Sequence, residues 1–183
     1  GPITVTAGGS RVAISVVSAT DDDDNDLSLT ATGGGSLTLG QVDAGTATGD
    51  VTLSANTGGG TIVTTAPDGR ITGDAVTATA VNGLDLTTTA NSADLSVTGA
   101  GALVVRDLNA ITLTDLDTAD GPIMVTAGGT LTAADVWSLT DVDANDVTLA
   151  TTAGDVVVKS VAAGTGAAGD VTIASAGSLN QSD

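Results

Sequence analysis

Apolar and polar residues alternate in short runs along the whole chain. Leu27-Ser28-Leu29-Thr30 places a hydroxyl after each leucine, and Val51-Thr52-Leu53-Ser54 does the same. A period of two belongs to an extended strand with one face buried and the other in water. The phrase recurs as ITVTA from Ile3, LSLTA from Leu27, VTLSA from Val51, VTATA from Val76, LSVTG from Leu95 and IMVTA from Ile123, at spacings of 24, 24, 25, 19 and 28 residues. VTLAT at Val147 and VTIAS at Val171 continue it at 24 and 24. Glycine-rich corners lead into a second run, in GGGSLTL before Gly40, GGGTIVTT from Gly58 and AGDVVVKS from Ala153. A weaker third run, such as Arg70-Ile71-Thr72, closes several rungs. Three short strands and three turns fill about 24 residues when strands have their usual ~5 residues.

A longer period contains the shorter one. The opening GPITVTAGGS returns as GPIMVTAGGT at Gly121, and at this offset of 120 residues 16 of the first 26 pairs are identical. Gly49-Asp50-Val51-Thr52 likewise returns as Gly169-Asp170-Val171-Thr172. The internal copy argues against reading Gly1-Pro2 as a scar of protein expression. A repeat held without insertions implies units stacked on copies of themselves. The expected fold is therefore all-β: a parallel β-helix, or β-solenoid, of about 24 residues per coil. Each coil pairs with the next at ~4.8 Å, and the winding is right-handed as parallel crossovers overwhelmingly are. Residues 1–120 read as one super-repeat of about five coils, and residues 121–183 as the start of the next in the same continuous solenoid. On this reading the chain is an excerpt of a longer array. A β-sandwich also uses short alternating strands, but it gives no reason for the phrase to keep its phase rung after rung.

Composition supports strands and narrows the interior. There is no Phe or Tyr and a single Trp, so Val, Ile, Leu and Ala must fill the core. All 22 acidic residues are Asp and only four residues are basic, a balance that favours turns over helices. Abundant Thr and Val favour strands. A net charge of −18 excludes a nucleic-acid binder, which needs a basic surface. No apolar run approaches the ~18 residues of a membrane span, and no basic-then-apolar signal segment opens the chain. The absence of Cys excludes disulfides and thiolate metal sites. High acidity keeps a long polymer soluble and suits a salty extracellular setting.

The phrases GDVTLSA, GDVVVKS and GDVTIASAG resemble the β-strand repeats of very large secreted bacterial surface proteins of the filamentous-haemagglutinin-like adhesin type. The resemblance covers the whole chain. It implies a β-helical shaft, export to the cell surface, and a role in adhesion or extracellular fibre building. It brings no catalytic residue.

Acidic corners are the sharpest local feature. DDDDND from Asp21 becomes DVDAND 120 residues on, so that Asp21, Asp23, Asn25 and Asp26 correspond to Asp141, Asp143, Asn145 and Asp146. Alternating oxygen ligands on a turn suit Ca²⁺, which takes six to eight of them. Asp115, Asp117 and Asp120, in DLDTAD, form a third candidate cluster for Ca²⁺. The spacing lacks the glycine and distal glutamate of an EF-hand. The competing reading is that Asp caps turns through the backbone and protects exposed edges.

Outward hydroxyls form a second feature, in Thr4 and Thr6, Ser28 and Thr30, Thr52 and Ser54, and Ser96 and Thr98. Such a ladder could order ice or bind glycans, although Thr is also the polar residue best suited to an exposed strand. Met124 and Ala150 interrupt the ladder when the phrases are aligned in sequence. Trp137 stands where the first copy has Val17, and suits a sugar or fibre contact as well as simple packing. Arg11, Arg70, Arg106 and Lys159 share no spacing that makes an anion site, and the triple glycines at Gly33 and Gly58 lack the lysine and helix of a phosphate loop.

The function expected is a structural shaft of a giant extracellular adhesin or surface filament. Its partners are adjacent repeats of the same polypeptide, with lateral bundling of fibres or copies and a glycan as further possibilities. The alternative is a glycan- or ice-binding module using the hydroxyl face. An enzyme is not expected: His, Glu and Cys are missing. Paired aspartates could hydrolyse glycosides, but these clusters recur with the repeat instead of meeting once in a cleft.

Overall fold

The computed structural model describes residues 1–18, 25–65 and 68–182, with the side chains of residues 11–14 outside the description. Among the described residues there are eighteen strands and no helix, and every strand pairing is parallel. Parallel partners far apart in sequence, each one coil from the next, make a β-solenoid. Ile3–Ala7 lies on Leu27–Ala31 in strict register, Ile3 opposite Leu27, and Leu27 lies in turn opposite Val51.

Alternation within each strand decides what is stacked. In Leu27–Ala31 the burial order is in, out, in, out, in, so Leu27, Leu29 and Ala31 point inward and the hydroxyls outward. The inward column that begins at Val5 runs through Leu29, Leu53, Ala78, Leu95, Leu116, Val136 and Val161, seven turns of like over like. The other strands add parallel columns, such as Leu37, Ile62, Leu84, Leu103, Ile123 and Val147. Together they form one aliphatic core along the axis. Full burial of each Leu, Ile or Val contributes roughly 1.5–3 kcal/mol, which lets a chain almost without aromatic residues hold its interior.

Corners appear where the alternation slips. In Leu37–Asp43 neither Gly40 nor Gln41 is buried, and the strand turns there from one face to the next. Corner glycines let successive coils approach. A Cβ on Gly121 would overlap the Gly101 carbonyl oxygen, and one on Gly60 would overlap that of Gly35. Gly59 has φ of 100°, a left-handed backbone that side chains resist.

The coils are not of equal length. Those between Val5 and Ala78 take 24 or 25 residues, but Leu95 stacks on Ala78 only 17 residues later. The reason is that Arg70–Ala80 and Leu84–Val97 run around corners as continuous strands, with no loop residues inserted. The phase of the sequence phrases therefore fails after Val76. IMVTA at Ile123 does not lie on LSVTG at Leu95; it lies on LVVRD at Leu103, while Leu95 faces Leu116. The two copies of the opening phrase occupy different faces of the solenoid, and 120 residues is not a whole number of coils.

Candidate functional site

The acidic corners resolve into backbone clamps between coils. The Asp26 side-chain Oδ1 accepts the Asp50 N–H at 2.9 Å, and the Asp50 Oδ1 accepts the Ala75 N–H at 3.0 Å. In the second copy the Asp146 Oδ1 accepts the Asp170 N–H at 2.9 Å. Each of these aspartates precedes a strand and bonds the backbone of the coil above, at a strand entry for Asp50 and Asp170 and within the continuous strand Arg70–Ala80 for Ala75. That is the turn-capping chemistry of a short carboxylate, used between coils instead of within one turn.

The other sequence candidates scatter over neighbouring positions. Asp21 and Asp23 lie outside the described residues. Asn25 is buried and accepts a hydrogen bond from the Gly1 amino group. Asn145, its counterpart, is buried and donates from Nδ2 to the Asp120 Oδ1 at 2.8 Å. The Asp141 Oδ1 accepts the Ala168 N–H at 3.0 Å, and its carboxylate fills the space where a side chain at Gly166 would stand. Asp143 is exposed. The Asp117 Oδ2 accepts the Ser96 hydroxyl at 3.0 Å. Among the described residues no group of three or more carboxylates is arranged to hold a metal ion.

Asp115 belongs to an array that the sequence did not reveal. It stacks on Asp94 below, and Asp135, which precedes the register of Leu116 opposite Val136, lies close enough above for its charge to act on it, so three successive coils each bring an aspartate to this place. Partial desolvation, and then the charges of Asp117, Asp94 and Asp135, push its carboxyl above the ordinary range. Asp94 and Asp135 sit in unrelated local contexts, and only the shortened coils bring them together.

Among the described residues Asp107 is the one aspartate buried in the aliphatic interior. It is 3% exposed, and it occupies the inward position that Ala7, Ala31, Ala55 and Ala127 hold in the related phrases. Its Oδ2 accepts the Thr88 hydroxyl at 2.7 Å and the Ala90 N–H at 3.0 Å, and its Oδ1 accepts the Asn109 N–H at 2.9 Å. Burial raises its pKa, and the three hydrogen bonds partly offset that rise. With three donors, the carboxylate is a structural knot that ties the strand below to the following turn. The signal was present in the sequence, as LVVRD ends in Asp where its sister phrases end in Ala.

Two shallow depressions follow the same corner of the solenoid. One, of about 430 Å³, is lined by residues including Arg106, Asp107, Thr126 and Thr152. The other, of about 300 Å³, includes Gln41, Asp68, Arg70 and Thr87, and the exposed Leu108 lines both. The fold thus brings Arg70 and Arg106 to adjoining hollows although no spacing in the sequence links them. Arg106 pairs across one coil with Asp85, both side chains about half exposed, an arrangement worth roughly 0–1 kcal/mol.

Comparison of the chain with protein-family models, with curated proteins and with solved structures found no match.

Proposed function

We propose that the chain is a length of shaft in a large extracellular bacterial surface protein of the adhesin or filament kind. The observation that carries this reading is the inward column from Val5 to Val161, in which an aliphatic residue stacks on an aliphatic residue through seven turns. A fold built this way can extend along one axis, because each coil presents the next with a parallel strand edge and an aliphatic column to stack on. Its backbone hydrogen bonds run along that axis, so tension between the ends loads a whole coil interface at once. The net charge of −18 keeps such a polymer soluble and self-repelling. The likeness of GDVTLSA and its relatives to adhesin repeats supports the surface location.

Two measurements test the reading. Antibodies raised against the folded chain should label intact cells of the source organism and the material projecting from them. Labelling that requires lysis would overturn the location. Pulling the chain by its ends in an atomic-force microscope should release it coil by coil, each coil of 17 to 25 residues adding about 60–90 Å of contour length. Extension in one step at low force would remove the mechanical role.

A further inference from the structure

We propose that the face formed by Ile3–Ala7, Leu27–Ala31, Val51–Ala55 and the end of Arg70–Ala80 is an ice-binding surface. Its outward residues are Thr4 and Thr6, Ser28 and Thr30, Thr52 and Ser54, and Thr77 and Thr79. All eight carry hydroxyls, and they stand in two columns. Thr4 lies opposite Ser28, Ser28 opposite Thr52 and Thr52 opposite Thr77, while Thr6, Thr30, Ser54 and Thr79 form the second column. The pairing runs without a bulge through these four coils, whereas shifts interrupt the register where Arg11–Val17 meets Leu37–Asp43 and where Ile111–Thr118 meets Leu84–Val97. The hydroxyl columns therefore repeat at ~4.8 Å along the axis and ~6.8 Å across it.

The interruption seen in the sequence disappears in the fold. Met124 and Ala150 lie in the column of Leu103–Asp107, on a different face from Thr4 and Thr52. Strand propensity alone does not account for the uniformity, since every face consists of strands under the same pressure. The face carrying Met124 is mixed, with Asp85, Thr87, Val104, Arg106, Thr126, Thr148 and Ala150 pointing outward. A chain with 22 aspartates and four basic residues keeps every charge off the eight positions of the hydroxyl face. Asp94 ends the first column at the next coil, while Ser96 continues the second.

Corner threonines behave differently. Thr32 and Thr65 donate to carbonyls of the preceding coil, at 3.1 and 3.0 Å. The ladder hydroxyls point to solvent, and each can donate one hydrogen bond to water and accept others. Held at fixed spacing, they impose that spacing on the first water layer, and the threonine methyls between them offer nothing that competes for it. A charged group would impose its own hydration shell instead. Water already held in a two-dimensional lattice can join a growing ice face and pin it, and this identifies the ligand as crystalline water.

The test is ice growth in a solution of the purified chain at millimolar concentration. Wild type should open a gap between melting and freezing points and facet the crystal. Thr52→Lys, at the centre of the array, should reduce the gap several-fold, as should Thr77→Lys on the adjoining coil. Met124→Lys, on another face, should leave it unchanged, with circular dichroism confirming the same strand content in all variants. A folded wild type without a gap would overturn the proposal, as would a gap insensitive to both lysines. Retention on insoluble polysaccharide with no effect on ice would also overturn it, and would assign the face to a glycan.

Discussion

Replacing Asp107 with alanine gives this aspartate the side chain that the same position carries at Ala31, Ala55 and Ala127, so a size argument alone makes it harmless. The hydrogen bonds argue otherwise. The change removes the acceptor of the Thr88 hydroxyl and of the Ala90 and Asn109 N–H groups, and both Thr88 and Ala90 are buried. A buried donor left without a partner costs about 1–3 kcal/mol. Two such donors, less the relief of no longer burying a charge, give a net loss of about 2–4 kcal/mol.

The pH dependence has a definite sign. Burial raises the pKa of Asp107 in the folded state, so the folded chain holds this proton more tightly than the unfolded chain does. The contribution is fully present below the ordinary carboxylate range and is lost as pH rises through the folded-state value. Urea unfolding followed by far-ultraviolet circular dichroism, on wild type and Asp107→Ala, should show a stability difference that widens as pH falls from neutrality into the acid range. The other aspartates are common to both proteins and cancel. An alanine variant as stable as wild type, or a difference that shrinks towards acid, would refute the reasoning. Thr88→Val serves as a partial control, since it removes one of the three donors and keeps the acceptor for the others.

The coil geometry and the net charge set the remaining expectations. Gly121→Ala should cost about 1–3 kcal/mol because its Cβ meets the backbone of the coil below, whereas Gly8→Ala, with nothing within 4 Å of the new atom, should leave the melting temperature unchanged. Asp26→Ala and Asp50→Ala should each lose about 1 kcal/mol by freeing an N–H of the next coil, and the asparagine variants, which keep an acceptor oxygen, should lose little. If these carboxylates act as backbone acceptors, Ca²⁺ added after chelation leaves the melting temperature where it was, and a rise abolished by Asp26→Ala would instead place a cation at the corner. Sodium chloride should raise the melting temperature of wild type, since it screens the mutual repulsion behind a net charge of −18.

Much of the architecture was legible because alternation and spacing act locally. Leu27, Leu29, Val51 and Leu53 were identifiable as inward residues from their own neighbours, and the 24-residue spacing placed them in columns. The face on which a phrase lies was not legible. ITVTA at Ile3 and IMVTA at Ile123 are nearly the same words, yet every face of a solenoid asks for the same alternation, so wording does not encode the face. That is fixed by the summed length of all preceding corners, and the corners inside the continuous strands Arg70–Ala80 and Leu84–Val97 lack the glycine-rich loops that mark others. The same shortening explains why the Asp94, Asp115 and Asp135 group was invisible. It also explains why Met124 and Ala150, which interrupt the ladder in the sequence, stand on a different face from Thr4 and Thr52.

The stacking itself can be tested by cross-linking, because the native chain contains no cysteine. Met124 lies opposite Val104 on the outer surface of adjacent coils, and neighbouring parallel strands hold such Cα atoms ~4.8 Å apart, within reach of a disulfide. The double variant Met124→Cys with Val104→Cys should oxidise quantitatively in the folded state, and Met124→Cys with Ser96→Cys should remain as free thiols. If the second pair closes and the first does not, the coils follow the phrases of the sequence, and the register described above is wrong.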